Sequence, residues 1–273
     1  MYRKRFEMTG HPLPKNAEGK TFYDKGVGYA RFKKAFAQQL EDRGLAVLSA
    51  DAGVGKTTAI RNTCMQLPRP DYLVVYVCDT AVAPLDLYRT LAIELGVRPS
   101  HRRSILWADI KQTLLHMVDE RGTSPVLVID EAQHLSDAFL LDLSGFLNFA
   151  FDTRDLLTLW LVGLPPLVRR LQMQQHAALW TRVATHVHLE PLDRDGFNAM
   201  IEHAVRAAGS QRKLLSDAAM ELLFRTSRGV SRVASRLLRA ALRRAHEHEQ
   251  DFVDDTTLQA VLDEMPTTTA AAK

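Results

Sequence analysis

The chain has 273 residues, enough for one large hydrophobic core and a smaller second unit, and its 46% hydrophobic and 25% charged content is that of a soluble globular protein. With 35 basic against 32 acidic residues the net charge is only +3, so a polyanionic partner is not demanded by bulk charge and would have to be met by local clusters. No apolar run approaches the ~20 residues that cross a bilayer, and the charged stretch from Met1 to Lys25 lacks the apolar centre of a signal peptide, so a cytoplasmic protein with no membrane partner is expected.

Residues 1–27 carry Gly10, Pro12, Pro14, Gly19 and Gly26 among many charges and read as an irregular lead-in, with Phe6, Phe22 and Tyr23 available to pin it to the body. A helix is expected over 28–42, where Tyr29, Phe32, Phe36 and Leu40 recur at helical spacing and Gly44 closes the run. Five short apolar segments rich in β-branched residues follow, at 45–49, 72–78, 126–130, 156–162 and 185–189. They alternate with helical patterns at 55–66, 84–95, 104–121, 137–151 and 165–174, and Gly96 and Gly122 stand where C-terminal caps belong. Such alternation implies an α/β fold with a mainly parallel sheet covered on both faces.

After Pro191 only helical patterns remain, with Asp193, Ser216 and Asp254 as N-caps and Gly209 and Gly229 as stops. The expected organisation is therefore a core over 28–192, a small all-helical unit over 193–266 and a frayed tail over 267–273. Cys64 and Cys78 lie in apolar stretches without CxxC spacing and read as small buried side chains. The run His246-Glu247-His248-Glu249 lacks HExxH spacing and reads as a solvated helix end.

The first strand pattern runs into Ala50-Asp51-Ala52-Gly53-Val54-Gly55-Lys56-Thr57-Thr58 and then a helix, which is the context a phosphate-binding P-loop requires. Glycines let successive N–H groups face one anion, and the helix N-terminus adds its dipole. Residues Ala52 to Thr58 would hold the phosphates of ATP, with Lys56 reaching the β and γ phosphates and the Thr57 hydroxyl ligating Mg²⁺. The first glycine of GxxxxGK[ST] is Ala50 here, which is tolerable where the backbone keeps φ negative. Farther on, Pro125-Val126-Leu127-Val128-Ile129 ends in Asp130 and Glu131. Two carboxylates at the end of a buried strand are costly unless they are used. Asp130 would hold the Mg²⁺ shell, and Glu131 would serve as general base for water, which favours hydrolysis over a binding-only switch.

With these motifs and the helical C-terminal unit, the chain resembles AAA+ ATPases, and more narrowly the ExeA/TniB/TnsC-like group of transposon helper ATPases, related to IstB and MuB. The resemblance covers nearly the whole chain and is carried by Phe22-Tyr23, Leu45 to Ser49 into the P-loop, Ile129 to Leu135, Leu161 to Pro165, Leu189 to Leu192 and Ser227 to Arg232. It implies a three-layer αβα core with a five-stranded parallel sheet of order 5-1-4-3-2, a helical lid, and ATP bound between subunits. It places an arginine finger at Arg182, acting in trans, and a lid sensor at Arg232. One departure is Leu164 after Gly163, where a polar sensor is usual; Thr158 is a substitute candidate, and Asp79 and Thr80 compete for the polar position after the second strand. Hydrolysis is accordingly expected to be slow and DNA-stimulated.

A basic segment with Arg98, Arg102, Arg103 and then Lys111 is a candidate for sequence-independent contacts to the duplex backbone. A second arginine stripe, Arg232, Arg236, Arg239 and Arg243, recurs at helical spacing and reads mostly as a wet face. The expected activity is ATP hydrolysis by a homo-oligomeric ring or helical filament on duplex DNA that recruits or activates a transposase and disassembles on hydrolysis. No peptidoglycan-binding or winged-helix domain is expected after the helical unit, which favours this reading over two alternatives: a DNA-free assembly factor for secretion, and a replication or repair loader.

Overall fold

A computed structural model describes residues 2–264; the tail expected at 267–273 lies outside the described residues. The chain forms two compact units, one of residues 31–52 and 59–189 and the other of residues 1–30, 53–58 and 190 onward.

The first unit is built on five parallel strands, β1 (Gly44–Ala50), β2 (Tyr72–Val77), β3 (Ser124–Ile129), β4 (Thr158–Gly163) and β5 (Val183–Leu189), in the order β2-β3-β4-β1-β5. This is the expected order read from the other edge. The central strands β1 and β4 are buried along their whole length, in keeping with their mostly apolar sequences, which Ser49 and Thr158 alone interrupt. The edge strand β2 instead alternates, with Val75 and Val77 buried and Val74 and Tyr76 exposed. That difference corrects the expectation for Cys78, which follows the end of this edge strand and is exposed; Cys64 is only partly buried.

Helix α2 (Val27–Asp42), which follows the short N-terminal helix α1 (Tyr2–Arg5), covers one sheet face through Phe36, stacked on Trp160 with centroids 5.5 Å apart, and Phe32, edge-on to it at 5.3 Å. Helices α3 (Lys56–Cys64), α4 (Pro84–Glu94), α5 (Arg103–Asp119), α6 (Asp137–Phe146), α7 (Pro165–Leu171) and α8 (Ala177–Trp180) alternate with the strands. Tyr88, Trp107, Phe139 and Phe146 form a second aromatic cluster on α4, α5 and α6. The helix expected over 137–151 stops at Phe146; Phe149 is already extended (φ −114°, ψ 142°), and Ala150, Phe151 and Asp152 beyond it adopt positive φ of 48°, 58° and 66° without a glycine among them.

The second unit contains α9 (Arg194–Ala207), α10 (Asp217–Ser227), α11 (Ser231–Glu247) and α12 (Asp255–Glu264), and the Asp193, Ser216 and Asp254 side chains each accept the N–H of the residue three farther on. The lead-in is more ordered than its composition suggests. Helix α1 delivers Phe6, fully buried, into the apolar core of Phe197, Leu238 and Leu242, and Thr9 N–H donates to the Ala208 carbonyl at 2.7 Å. Tyr23 packs on His203, and Phe22 on Tyr29. Gly229 (φ +74°) must lack a side chain, since a Cβ there would sit 2.1 Å from the Leu192 carbonyl oxygen.

Candidate functional site

Ala50 closes β1, and its φ is not positive, so the missing first glycine of the P-loop costs nothing. The loop turns at Gly53 (φ +83°) and Gly55 (φ +121°), conformations that glycine alone adopts readily, and α3 begins at Lys56. The first N–H groups of α3 therefore have no carbonyl one turn earlier in the helix and are the groups that can face an anion. Lys56 is 7% exposed, Thr57 and Thr58 are partly buried, and Ala52 is exposed. Within this unit the loop meets the start of α11: the Ser231 hydroxyl donates to the carbonyls of Gly53 (3.0 Å) and Val54 (3.3 Å), and Arg232 N–H donates to Gly53 O at 3.1 Å. A Cβ on Gly53 would stand 2.8 Å from that of Arg232, so Arg232 is rooted against this loop.

In the sheet unit, β3 ends at Ile129, one residue earlier than its sequence suggests, and Asp130 N–H continues the ladder by donating to Val77 O at 2.8 Å. Asp130 is 2% exposed; its Oδ2 accepts from the Tyr76 hydroxyl at 2.9 Å and its Oδ1 from Glu131 N–H at 2.8 Å. Burial, and then the Asp130 carboxylate, push the Tyr76 phenol above its ordinary range, so Tyr76 remains a donor. Glu131 sits in the left-handed region (φ 51°, ψ 34°), a conformation that costs of order 1–3 kcal/mol for a non-glycine residue. It is held there by its own N–H on Asp130 and by the Thr80 hydroxyl, which donates to Glu131 O at 2.9 Å. The exposed side chain of Glu131 accepts a 2.7 Å hydrogen bond at Oε2 from Gln133 Nε2, and Gln133 Oε1 accepts Leu164 N–H at 3.1 Å.

Of the two candidates after the second strand, Thr80 is thus the one that touches the acidic pair. Thr158 is no substitute sensor: it opens β4, at the end opposite Gly163, and its hydroxyl donates to Gln39 O. Tyr76 and Gln133 escaped the sequence reading. The polar residue two positions past Glu131 was the available signal for Gln133; nothing in the sequence pointed to Tyr76.

Arg182 lies between α8 and β5, where its guanidinium bridges Asp152 at 2.6 Å. That hydrogen bond holds the Asp152 carboxyl below the usual carboxylate range. The pair borders a cleft of about 670 Å³ also lined by Ser144, Arg154, Asp155 and Thr181. The basic segment divides. Arg98, Arg102 and Arg103 are all exposed, and Arg103 in addition pairs with Asp142 at 2.7 Å and covers the Trp107 ring at 4.1 Å. Lys111 donates to Asn148 O at 2.8 Å and lies 4.8 Å from the Phe149 ring centre; burial pushes its ammonium below the ordinary lysine range. On α11, Arg232, Arg236 and Arg243 are exposed, but Arg239 turns back to Leu13 O and Ser235.

Residues 38–171 match the family described as the AAA domain. With the sheet order and the P-loop, this decides the fold. It is the AAA+ P-loop fold. Among curated proteins the chain is similar to general secretion pathway protein A of Aeromonas hydrophila, at 28% identity over 201 residues. The match takes in 73% of this chain but 36% of that relative, so the chain spans about a third of its length. Among solved structures, the Aeropyrum pernix ORC2 protein in its ADPNP-ADP complexes superposes with a TM-score of 0.71 at 13% identity, covering 96% of this chain and 74% of that one. The Drosophila ORC bound to DNA gives 0.70 at 15% identity, covering 96% and 64%. Among the described residues no helix is long and apolar enough to cross a membrane.

Proposed function

We propose that this AAA+ chain hydrolyses ATP and uses the cycle to assemble and release a homo-oligomer, a ring or helical filament. The observation that carries the reading is Glu131, a carboxylate in a costly backbone conformation, held on three sides and exposed beside the buried Asp130. A binding-only nucleotide site has no use for a second, positioned carboxylate. The residues fit ATP and Mg²⁺. Gly53 and Gly55 bend the backbone into an anion cradle at the start of α3, and Asp130 is a buried acid at the carboxyl edge of the sheet, where α/β proteins bind ligands.

Lys56 would balance charge on the β and γ phosphates, while Thr57 and Asp130 would hold the magnesium ion. The metal, when bound, offsets phosphate charge. Glu131 would accept a proton from the attacking water at its carboxylate, and Arg182 of one copy would stabilise charge developing in the site of its neighbour. Arg232, rooted beside Gly53, would sense the γ phosphate.

Two tasks for such an oligomer are supported by different observations. Exposed Arg98 and Arg102, with the group resemblance, favour duplex DNA and a transposase as partners. The 28% identity to the secretion protein over most of this chain favours an assembly role in secretion without DNA. ATP turnover measured with and without duplex DNA, alongside electron microscopy of ATP-bound protein, separates them. DNA-stimulated turnover and DNA-bound rings or filaments support the transposition reading; turnover indifferent to DNA removes it and leaves the secretion reading. Absence of ATP hydrolysis under every condition overturns both.

A further inference from the structure

We propose that Gln133 is the positioning residue for Glu131, standing in for the polar side chain that Leu164 does not supply. The inference rests on the hydrolytic reading of Glu131 and deepens it.

Gln133 lies in the 3₁₀ turn Ala132–His134 that follows Glu131. Its backbone carbonyl accepts from Arg170 at 3.2 Å, and Arg170 is tied in turn to Asp137 at 2.8 Å, so the turn is anchored apart from its side chain. The orientation of the carboxamide is dictated by its neighbours. Leu164 offers an N–H and can be met only by the oxygen, which leaves the NH₂ group facing the Glu131 carboxylate, a pure acceptor. Leu164 is the N-cap residue of α7, and its side chain makes no capping bond. The amide oxygen of Gln133 thus meets a backbone donor just past the end of β4. No other side chain of this length provides both an acceptor for Leu164 and a donor for Glu131.

Gly163 bears the imprint of the same arrangement. A Cβ there would lie 2.8 Å from Gln133 Oε1 and 2.9 Å from Leu167 Cδ2, so a methyl group would push the carboxamide off its seat. The end of β4 therefore communicates with the base through one side chain and two hydrogen bonds. A displacement of the Leu164 peptide would be transmitted directly to Glu131 Oε2.

The test is steady-state ATP hydrolysis with nucleotide binding measured separately, on full-length protein. Gln133→Met, similar in length but without hydrogen bonds, should lower kcat about 10²-fold, the cost of misplacing a catalytic group by about an ångström, while KM and nucleotide affinity stay near wild type. Gln133→Glu keeps the shape and the acceptor for Leu164 but sets a carboxylate against Glu131, and should be equally impaired. Gly163→Ala, whose Cβ meets the carboxamide as well as Leu167, should also lower kcat. Wild-type turnover in either Gln133 variant would overturn the proposal. Glu131→Gln separates the two levels: if it still turns over ATP, the reading of the site fails and this inference with it; if it is dead while the Gln133 variants are active, only the inference fails.

Discussion

Glu131 and Arg182 are both charged groups just outside a strand of the same sheet, yet they are held in opposite ways. Glu131 is fixed through its backbone by Asp130 and Thr80 and through its side chain by Gln133. Arg182 depends on an ion pair with the half-exposed Asp152, in a segment whose three consecutive residues carry positive φ. Exposed ion pairs contribute little and weaken with salt, whereas a backbone clamp does not. The contrast would fit the two roles proposed for them: a base working in its own subunit would need a fixed position, and a finger working in its neighbour's site would need a tether that lets go.

The contrast breaks most visibly if Arg182 has no partner to serve. Arg182→Ala should lower hydrolysis about 10³-fold or more, and mixing it with Lys56→Ala should restore part of the activity at mixed interfaces. No recovery at any mixing ratio would remove the in-trans role. A smaller effect is expected on the rigid side. Thr80→Val deletes the hydroxyl that holds the Glu131 carbonyl and should cut kcat about tenfold, the equivalent of one hydrogen bond, with nucleotide affinity preserved. An unchanged kcat would mean that the clamp is not needed. Smallest is the release of the tether. Asp152→Asn should raise hydrolysis a few-fold at low protein concentration, and added salt should narrow the gap to wild type. Mild acid should not mimic it. A carboxylate whose folded value is lowered keeps its stabilising bond above the unfolded value and loses it only as pH falls through the lowered one. Between pH 5 and 8 the pair persists, and wild-type activity that rose toward pH 5 would count against the tether.

Much of this was legible beforehand because it is local. The P-loop run, the apolar strand ending in Asp130 and Glu131, and the caps at Asp193, Ser216 and Asp254 each declare themselves within a few residues. What was hidden depends on partners distant in sequence. Gln133 is defined by a backbone N–H 31 residues away, just past the end of β4, and Thr80 by a carbonyl 51 residues away. The stop of α6 at Phe146 was masked because neither the extended Phe149 nor the left-handed run at Ala150 to Asp152 is marked by a glycine or proline. The engagement of Arg103 by Asp142 and of Lys111 by Asn148 and Phe149 likewise depends on residues more than 35 positions away.

The contact between α11 and the phosphate loop has a consequence in the geometry of the peptide plane. All described peptide bonds are trans, so a carbonyl and the following N–H point in opposite directions. By drawing the carbonyls of Gly53 and Val54 toward Ser231 and Arg232, α11 turns the N–H groups of Val54 and Gly55 the other way. The start of one helix thus sets the direction of two donors on a loop nearly 180 residues earlier in the chain. The loop's readiness for an anion is, in this sense, written into Ser231.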